Sequence, residues 1–129
     1  MRLLLDTQVL LWALAAPERL PKPVQAELAV ADVYFSAASI WEIALHRSAG
    51  RLAFEAATIV AAAEETRFTA VAVSVRHVTA TTPLLERHRN PFDRLLLAQA
   101  LTEPLVLLTN DANLAAHGYP VRLLSSRLS

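Results

Sequence analysis

Four acidic residues stand where a chain of alternating strands and helices builds a site. Asp6 directly follows Leu3-Leu4-Leu5, Glu42 lies in Ser39-Ile40-Trp41-Glu42, Asp93 in Asn90-Pro91-Phe92-Asp93-Arg94, and Asp111 in Leu108-Thr109-Asn110-Asp111. Carboxylate oxygens are hard ligands suited to Mg²⁺ or Mn²⁺, and a cluster of them without a cation repels itself and any phosphodiester. Gathered in one place, the four imply a divalent metal. Taken singly, each has a plainer explanation. Asp6 and Asp111 precede helices and can serve as N-caps, Ser39-x-x-Glu42 is a formal capping box, and an acid at Asp93 meets the dipole of a first helical turn favourably.

What favours a shared role is the set of elements that must position them. Leu3-Leu4-Leu5 has the pattern of a strand buried on both faces, and Asp6-Thr7 can cap the helix after it. Pro17, Pro21 and Pro23 mark a loop, followed by a short helix over 24–31 and a second strand at Val33-Tyr34-Phe35. Residues 36–39 lead into a helix over about 40–47, with Ser39, Glu42 and His46 on its polar stripe. Gly50 ends it. Residues 56–66 read as helix, and the alternation over 68–73 allows a third short strand or an extended link.

Asn90 caps a helix that places Pro91 in its first turn and runs to about Thr102. A strand over 105–108, a short helix over 113–117 and a last strand over 121–124 complete the chain. Strands alternating with helices give an α/β fold with a parallel sheet covered on both faces, and ligands in such folds bind beyond the carboxyl ends of the strands. Asp6 and Asp111 fall there. Glu42 and Asp93, read as first-turn residues, can point back to the same edge.

The 129 residues fit one domain, 1–129, with a single core. At 54% apolar the chain exceeds the usual share of about 45–50%, so it needs both faces of its sheet covered and a sticky surface met by another copy or a partner. Net charge is zero, so any nucleic-acid contact must be local. Of the twelve basic residues only Lys22 is a lysine. The absence of cysteine removes disulfides, thiolate metal sites and cysteine nucleophiles. Met1-Arg2 and the leucines after it have some look of a signal peptide, but Asp6, Thr7 and Gln8 interrupt it. The remaining apolar run falls far below the roughly 18 residues of a membrane span. A cytoplasmic protein without membrane attachment is the expectation.

These blocks together, with Leu10-Leu11-Trp12, Ile43-Ala44 and Ala98-Gln99-Ala100, closely resemble the PIN-domain family, and within it the VapC-type toxins of bacterial toxin-antitoxin pairs. The resemblance covers nearly the whole chain. It implies a three-layer α/β/α sandwich with a mostly parallel central sheet, and Asp6, Glu42, Asp93 and Asp111 as the catalytic, metal-binding set, supported by Thr7 and Thr109. It implies hydrolysis of an RNA phosphodiester with Mg²⁺ or Mn²⁺, leaving 5′-phosphate and 3′-hydroxyl ends. It also implies a homodimer and a cognate antitoxin that blocks the site. Asn90 departs from the many relatives that carry a further Asp before the proline. Asn caps as well as Asp, so the position reads as structural.

Among the remaining residues, Arg94 is a candidate for substrate phosphate and Arg87 and Arg89 are weaker ones. His46, His77, His88 and His117 show no ligand spacing or pairing, and Trp12 and Trp41 read as core or interface. Two other classes compete. A phosphotransfer module also places Asp after a buried strand, but Asp6-Thr7-Gln8 lacks a second Asp and no Lys follows a late strand. A non-catalytic module in which the acids merely cap helices is the stronger rival.

Overall fold

Three consecutive leucines set the architecture. Leu3, Leu4 and Leu5 make up most of β1 (Arg2–Leu5), and none retains exposed surface. A strand covered on both faces belongs in the middle of a parallel sheet. The computed structural model, which describes residues 1–85 and 87–125, places it there. The reading of 1–129 as one unit extends to Glu86 and 126–129, which lie outside the described residues. The other strands are β2 (Asp32–Ser36), β3 (Thr69–Val71), β4 (Val106–Thr109) and β5 (Val121–Leu123), in the order β3-β2-β1-β4-β5 with every pairing parallel.

Helices α1 (Thr7–Ala15), α2 (Lys22–Val30), α3 (Ala37–Ser48) and α4 (Ala56–Glu65) occur on the way out from β1 to β3. Helices α5 (Val75–Thr79), α6 (Pro91–Thr102) and α7 (Ala112–Ala115) occur on the way back through β4 to β5. Crossovers between parallel strands are right-handed, so reversing the direction of travel moves the second set of helices to the other face. The core divides accordingly. Leu5, Val33, Phe35 and Leu108 pack with Val9, Leu10, Ile43 and Ile59; Leu4, Leu107 and Val121 pack with Leu96, Leu97, Ala100 and Leu114. The result is the expected three-layer α/β/α sandwich. Emptying the centre of either layer, by Leu4→Ala or Leu10→Ala, is expected to cost about 2–5 kcal/mol.

The structure corrects the sequence reading at the entry to α3. The helix begins at Ala37 directly after β2, because the Ser36 hydroxyl accepts the Ala38 N–H at 3.0 Å and caps it there. Ser39 is therefore inside the helix and caps nothing, so the Ser39–Glu42 capping box does not form. Glu42 lies in the second turn and not the first. The short helix α5 had no counterpart in the sequence reading; Ser74 caps it by accepting from the His77 N–H at 3.2 Å. The alternating segment 68–73 does supply a strand, β3. Pro23 stands in the first turn of α2, where its missing N–H costs nothing.

Because strand order reverses at β1, the helices after β1 and β4 leave on opposite faces and a crevice opens between the carboxyl ends of these two strands. Asp6 and the Thr109–Asp111 segment stand at that crevice.

Candidate functional site

Asp6 continues the line of β1 one residue past the strand, its N–H bonded to the Leu108 carbonyl at 3.1 Å. This fixes its backbone at the crevice. Its Oδ1 accepts the Val9 N–H at 2.9 Å and caps α1, and its Oδ2 accepts from the buried Thr109 hydroxyl at 2.5 Å. Thr109 Oγ1 in turn accepts the Asp111 N–H at 3.0 Å, and Asp111 Oδ1 caps α7 through the Asn113 N–H at 2.8 Å. One threonine thus ties the ends of β1 and β4 together.

On the other side of β1, the Thr7 hydroxyl donates to Glu42 Oε1 at 2.6 Å and lies 3.0 Å from Ser39 Oγ. Ser39, Glu42 and His46 share one stripe of α3, and His46 Nε2 stands 3.8 Å from Glu42 Oε2. Asp93 sits in the first turn of α6, but the cap there is Asn90, whose Oδ1 accepts the Phe92 N–H at 2.9 Å and the Asp93 N–H at 3.4 Å. Asn90 is structural, as its cap chemistry implied. Asp93 and Glu42 cap nothing.

The four acids act on one another electrostatically. Burial pushes the Asp6 carboxyl up from its ordinary value; the bonds from Thr109 and Val9 oppose this, and the charges of Glu42 and Asp111 add to it. Asp93 is pushed up to about 7, by burial first and then by the charges of Asp6, Glu42 and Asp111. No arginine or lysine among the described residues forms an ion pair with any of the four.

Whether these residues suit a divalent cation turns on donor chemistry. They offer hard oxygens and an excess of negative charge, and in Asp6 and Asp93 carboxyls whose proton affinity is raised by burial and by their acidic neighbours, the combination a cation relieves. Among the described residues, however, no three His, Asp or Glu side chains are drawn together as a finished metal shell. The fit is one of donor type and position, with coordination number left open.

The minor readings meet the structure differently, and only that of the unpaired histidines is corrected. Arg94 is half-buried at the start of α6 and lines neither cleft beside the acids; Arg87 and Arg89 line one of them. His88 and His117 do pair, Nε2 to Nδ1 at 3.3 Å, although 29 residues separate them. Burial, and for both the nearby Arg87, hold them below the ordinary histidine range; Asp111 opposes this at His88, and His88 adds to it at His117. Trp41 is not core: it is 60% exposed and meets the Phe92 ring edge-on at 5.2 Å between centroids. Sequence reasoning missed Ser39 as a support for Thr7, although its place on the stripe of Glu42 was visible.

The family model described as "PIN domain" matches residues 3–118. No curated protein matches the chain. Among solved structures, a toxin-antitoxin complex from Klebsiella pneumoniae contains a chain similar to this one with a TM-score of 0.67 at 20% identity, over 96% of this chain and 98% of that one. A DNA-bound VapBC from Salmonella typhimurium gives 0.69 at 14% identity over 95% and 96%. FitAcB from Neisseria gonorrhoeae gives 0.64 at 20% over 95% and 97%. At these identities the likeness is one of fold. Among the described residues no helix is long and apolar enough to cross a membrane.

Proposed function

Because the chain belongs to the PIN domain family, we propose that it is a divalent-cation-dependent endoribonuclease, acting in the cytoplasm as the toxin of a toxin-antitoxin pair. The observation that supports this reading is that Asp6, Glu42, Asp93 and Asp111 act on one another electrostatically around the β1/β4 crevice, with no arginine or lysine among the described residues paired to any of them. Capping does account for part of the set, since Asp6 and Asp111 are true N-caps. It does not account for Glu42 and Asp93, which cap no helix. A cap also uses one carboxylate oxygen and leaves further lone pairs free.

Mg²⁺ or Mn²⁺ held by Asp6, Glu42, Asp93 and Asp111 supplies Lewis acidity and charge neutralisation for phosphodiester hydrolysis. The chain's own residues supply position. Thr109 and the Val9 N–H hold Asp6 in one orientation, and Thr7 holds one oxygen of Glu42 while the other lies 3.8 Å from His46 Nε2. Such preorganisation is what a site needs if its ligands are not to rearrange during reaction.

Partners follow from the exposed apolar side chains. Trp41 and Leu45 stand out from α3, Val75 and Val78 from α5, and Leu101 from α6. A second copy and an antitoxin are the proposed covers, in keeping with the toxin-antitoxin and VapBC complexes to which the similar chains belong.

The test is cleavage of structured and unstructured RNA with Mg²⁺, with Mn²⁺ and with EDTA. Cleavage that needs the metal and is lost in Asp6→Asn is the expected result. Undiminished cleavage in EDTA would overturn it.

A further inference from the structure

Two clefts flank the carboxylates, and each takes part of the set into its wall. One, of about 430 Å³, is lined by Arg87, His88, Arg89, Asp93 and Asp111 among others. The other, of about 250 Å³, is lined by Thr7, Gln8, Glu42, His46 and Arg51 among others. A strand passing from one cleft to the other crosses the acids on the way. The first cleft carries two arginines. The second carries one, and its backbone is held more firmly than an exposed loop residue usually is.

Arg51 follows the end of α3 in a Schellman turn. The Arg51 N–H bonds the His46 carbonyl at 2.9 Å, the Gly50 N–H bonds the Arg47 carbonyl at 3.0 Å, and Gly50 adopts φ +74°. Such a turn folds the chain back beside the last turns of its helix, here the stretch that carries His46, one turn beyond Glu42. A glycine at the left-handed position makes this turn inexpensive. Arg47 shows what an arginine with a structural task looks like in the same place: it bonds the Ala53 carbonyl at 2.6 Å and pairs with Glu55 at 3.1 Å. Among the described side chains Arg51 has no ion-pair partner, although it shares a cleft with Glu42.

We propose that Arg51 holds a backbone phosphate of a single-stranded RNA on the Glu42 side of the acids, while Arg87 and Arg89 hold the strand on the Asp93 side. This rests on the nuclease reading and goes beyond it by assigning a path. A neutral chain with an acidic centre repels RNA unless cations stand on both sides of that centre, and a guanidinium suits a phosphate through paired N–H donors. Arg51 is a binding and positioning residue, one that fixes where the strand lies without touching the bond that breaks.

The experiment is steady-state cleavage of a fluorescent single-stranded RNA with Mg²⁺ or Mn²⁺ over a salt series, with wild type, Arg51→Ala, Arg51→Lys and Arg47→Ala, each checked for folding by circular dichroism. Arg51→Ala is expected to raise KM roughly five- to tenfold with kcat within about twofold. It should also flatten the dependence of log(kcat/KM) on log salt by about 0.7, the contribution of one single-strand phosphate contact. Arg51→Lys should restore the salt slope and part of KM, and Arg47→Ala should move neither. If wild type cleaves while Arg51→Ala keeps both KM and slope, the proposal is overturned, as it also is by a loss confined to kcat. An Arg51 that instead docks an acidic segment of a partner protein leaves both RNA readouts unmoved, and that outcome overturns the proposal too. A wild type inert on every RNA with either metal removes the nuclease reading itself.

Discussion

The carboxylate end of the sheet and the contact between α5 and α6 both bury polar side chains, and they balance them differently. Between the helices, His77 Nδ1 accepts the Ser74 N–H at 3.0 Å, so its proton resides on Nε2 and is donated to Glu103 Oε2 at 2.5 Å. Gln99 donates to the Ala72 carbonyl at 3.3 Å, and only its Oε1 lacks a partner. Acid meets base there, and apart from Gln99 Oε1 the group is satisfied within the chain. At the sheet edge four acids stand with two threonines, and none is paired with an arginine or lysine among the described residues. Buried charges are ordinarily paired, so this imbalance is what supports the proposed cation-binding role. The first cluster balances its charges within the chain, and the second is where the proposed cation would be held.

The sharpest way to break this comparison is to remove one polar partner from each cluster. Asp6→Asn keeps a capping oxygen for α1 but loses the charge proposed to hold the cation. RNA cleavage with Mg²⁺ is expected to fall on the order of 100-fold or more, while the melting temperature in EDTA holds or rises, because one of four crowded charges is gone. Retained cleavage, or a clear loss of metal-free stability, would mean that Asp6 belongs with the structural cluster.

His77→Ala should do the reverse. It removes the partner of Glu103 and half of the reciprocal capping at the start of α5, and is expected to cost about 1–3 kcal/mol in urea unfolding. Cleavage by the fraction still folded should be unchanged.

A third test uses pH. Asp93 is pushed up to about 7 from an ordinary 3.8, and Asp6 is raised as well. The folded chain therefore keeps protons that the unfolded chain has released, so the stability these two acids contribute is fully present below about pH 4 and is lost as pH rises toward about 7, while His88 and His117, held below the ordinary histidine range, contribute in the opposite direction. Melting in EDTA at pH 5 and pH 8 should differ by several degrees in that direction, less so in Asp93→Asn, and Mg²⁺ should recover stability at pH 8. A profile that Asp93→Asn leaves unchanged would show that burial and the neighbouring acids do not raise the Asp93 carboxyl.

The smallest effect is expected at Asn90. Asn90→Asp preserves the cap of α6, so stability should stay within about 0.5 kcal/mol of the parent, with any loss larger in EDTA than in Mg²⁺ because a fifth acid joins the set. A loss of several times that size would show that Asn90 does more than cap.

Much of this was present in the sequence because it depends on local physics. Three leucines ending in an acid specify a central strand with a polar residue at its carboxyl end, and Asn90-Pro91 specifies a helix start, whatever surrounds them. The four acids could be picked out for the same reason. The start of α3 could not, since Ser36 and Ser39 are equally good caps by type and the choice depends on where β2 stops pairing with its neighbours. Helix α5 escaped notice because five residues give too little periodicity.

What the sequence determined alone is the alternation of elements, the apolar character of the central strands and the identity of the acids, all properties of neighbours along the chain. The tertiary structure decided that strand order reverses at β1, that Thr109 reaches Asp6 across 103 residues and that His88 meets His117. It also decided that Arg47 is tied to Glu55 while Arg51 lines a cleft with Glu42. Two arginines four residues apart are the same to any sequence rule. Their difference arises because a side chain's partners are set by which surfaces the packed sheet and helices bring together, a matter of distance through space.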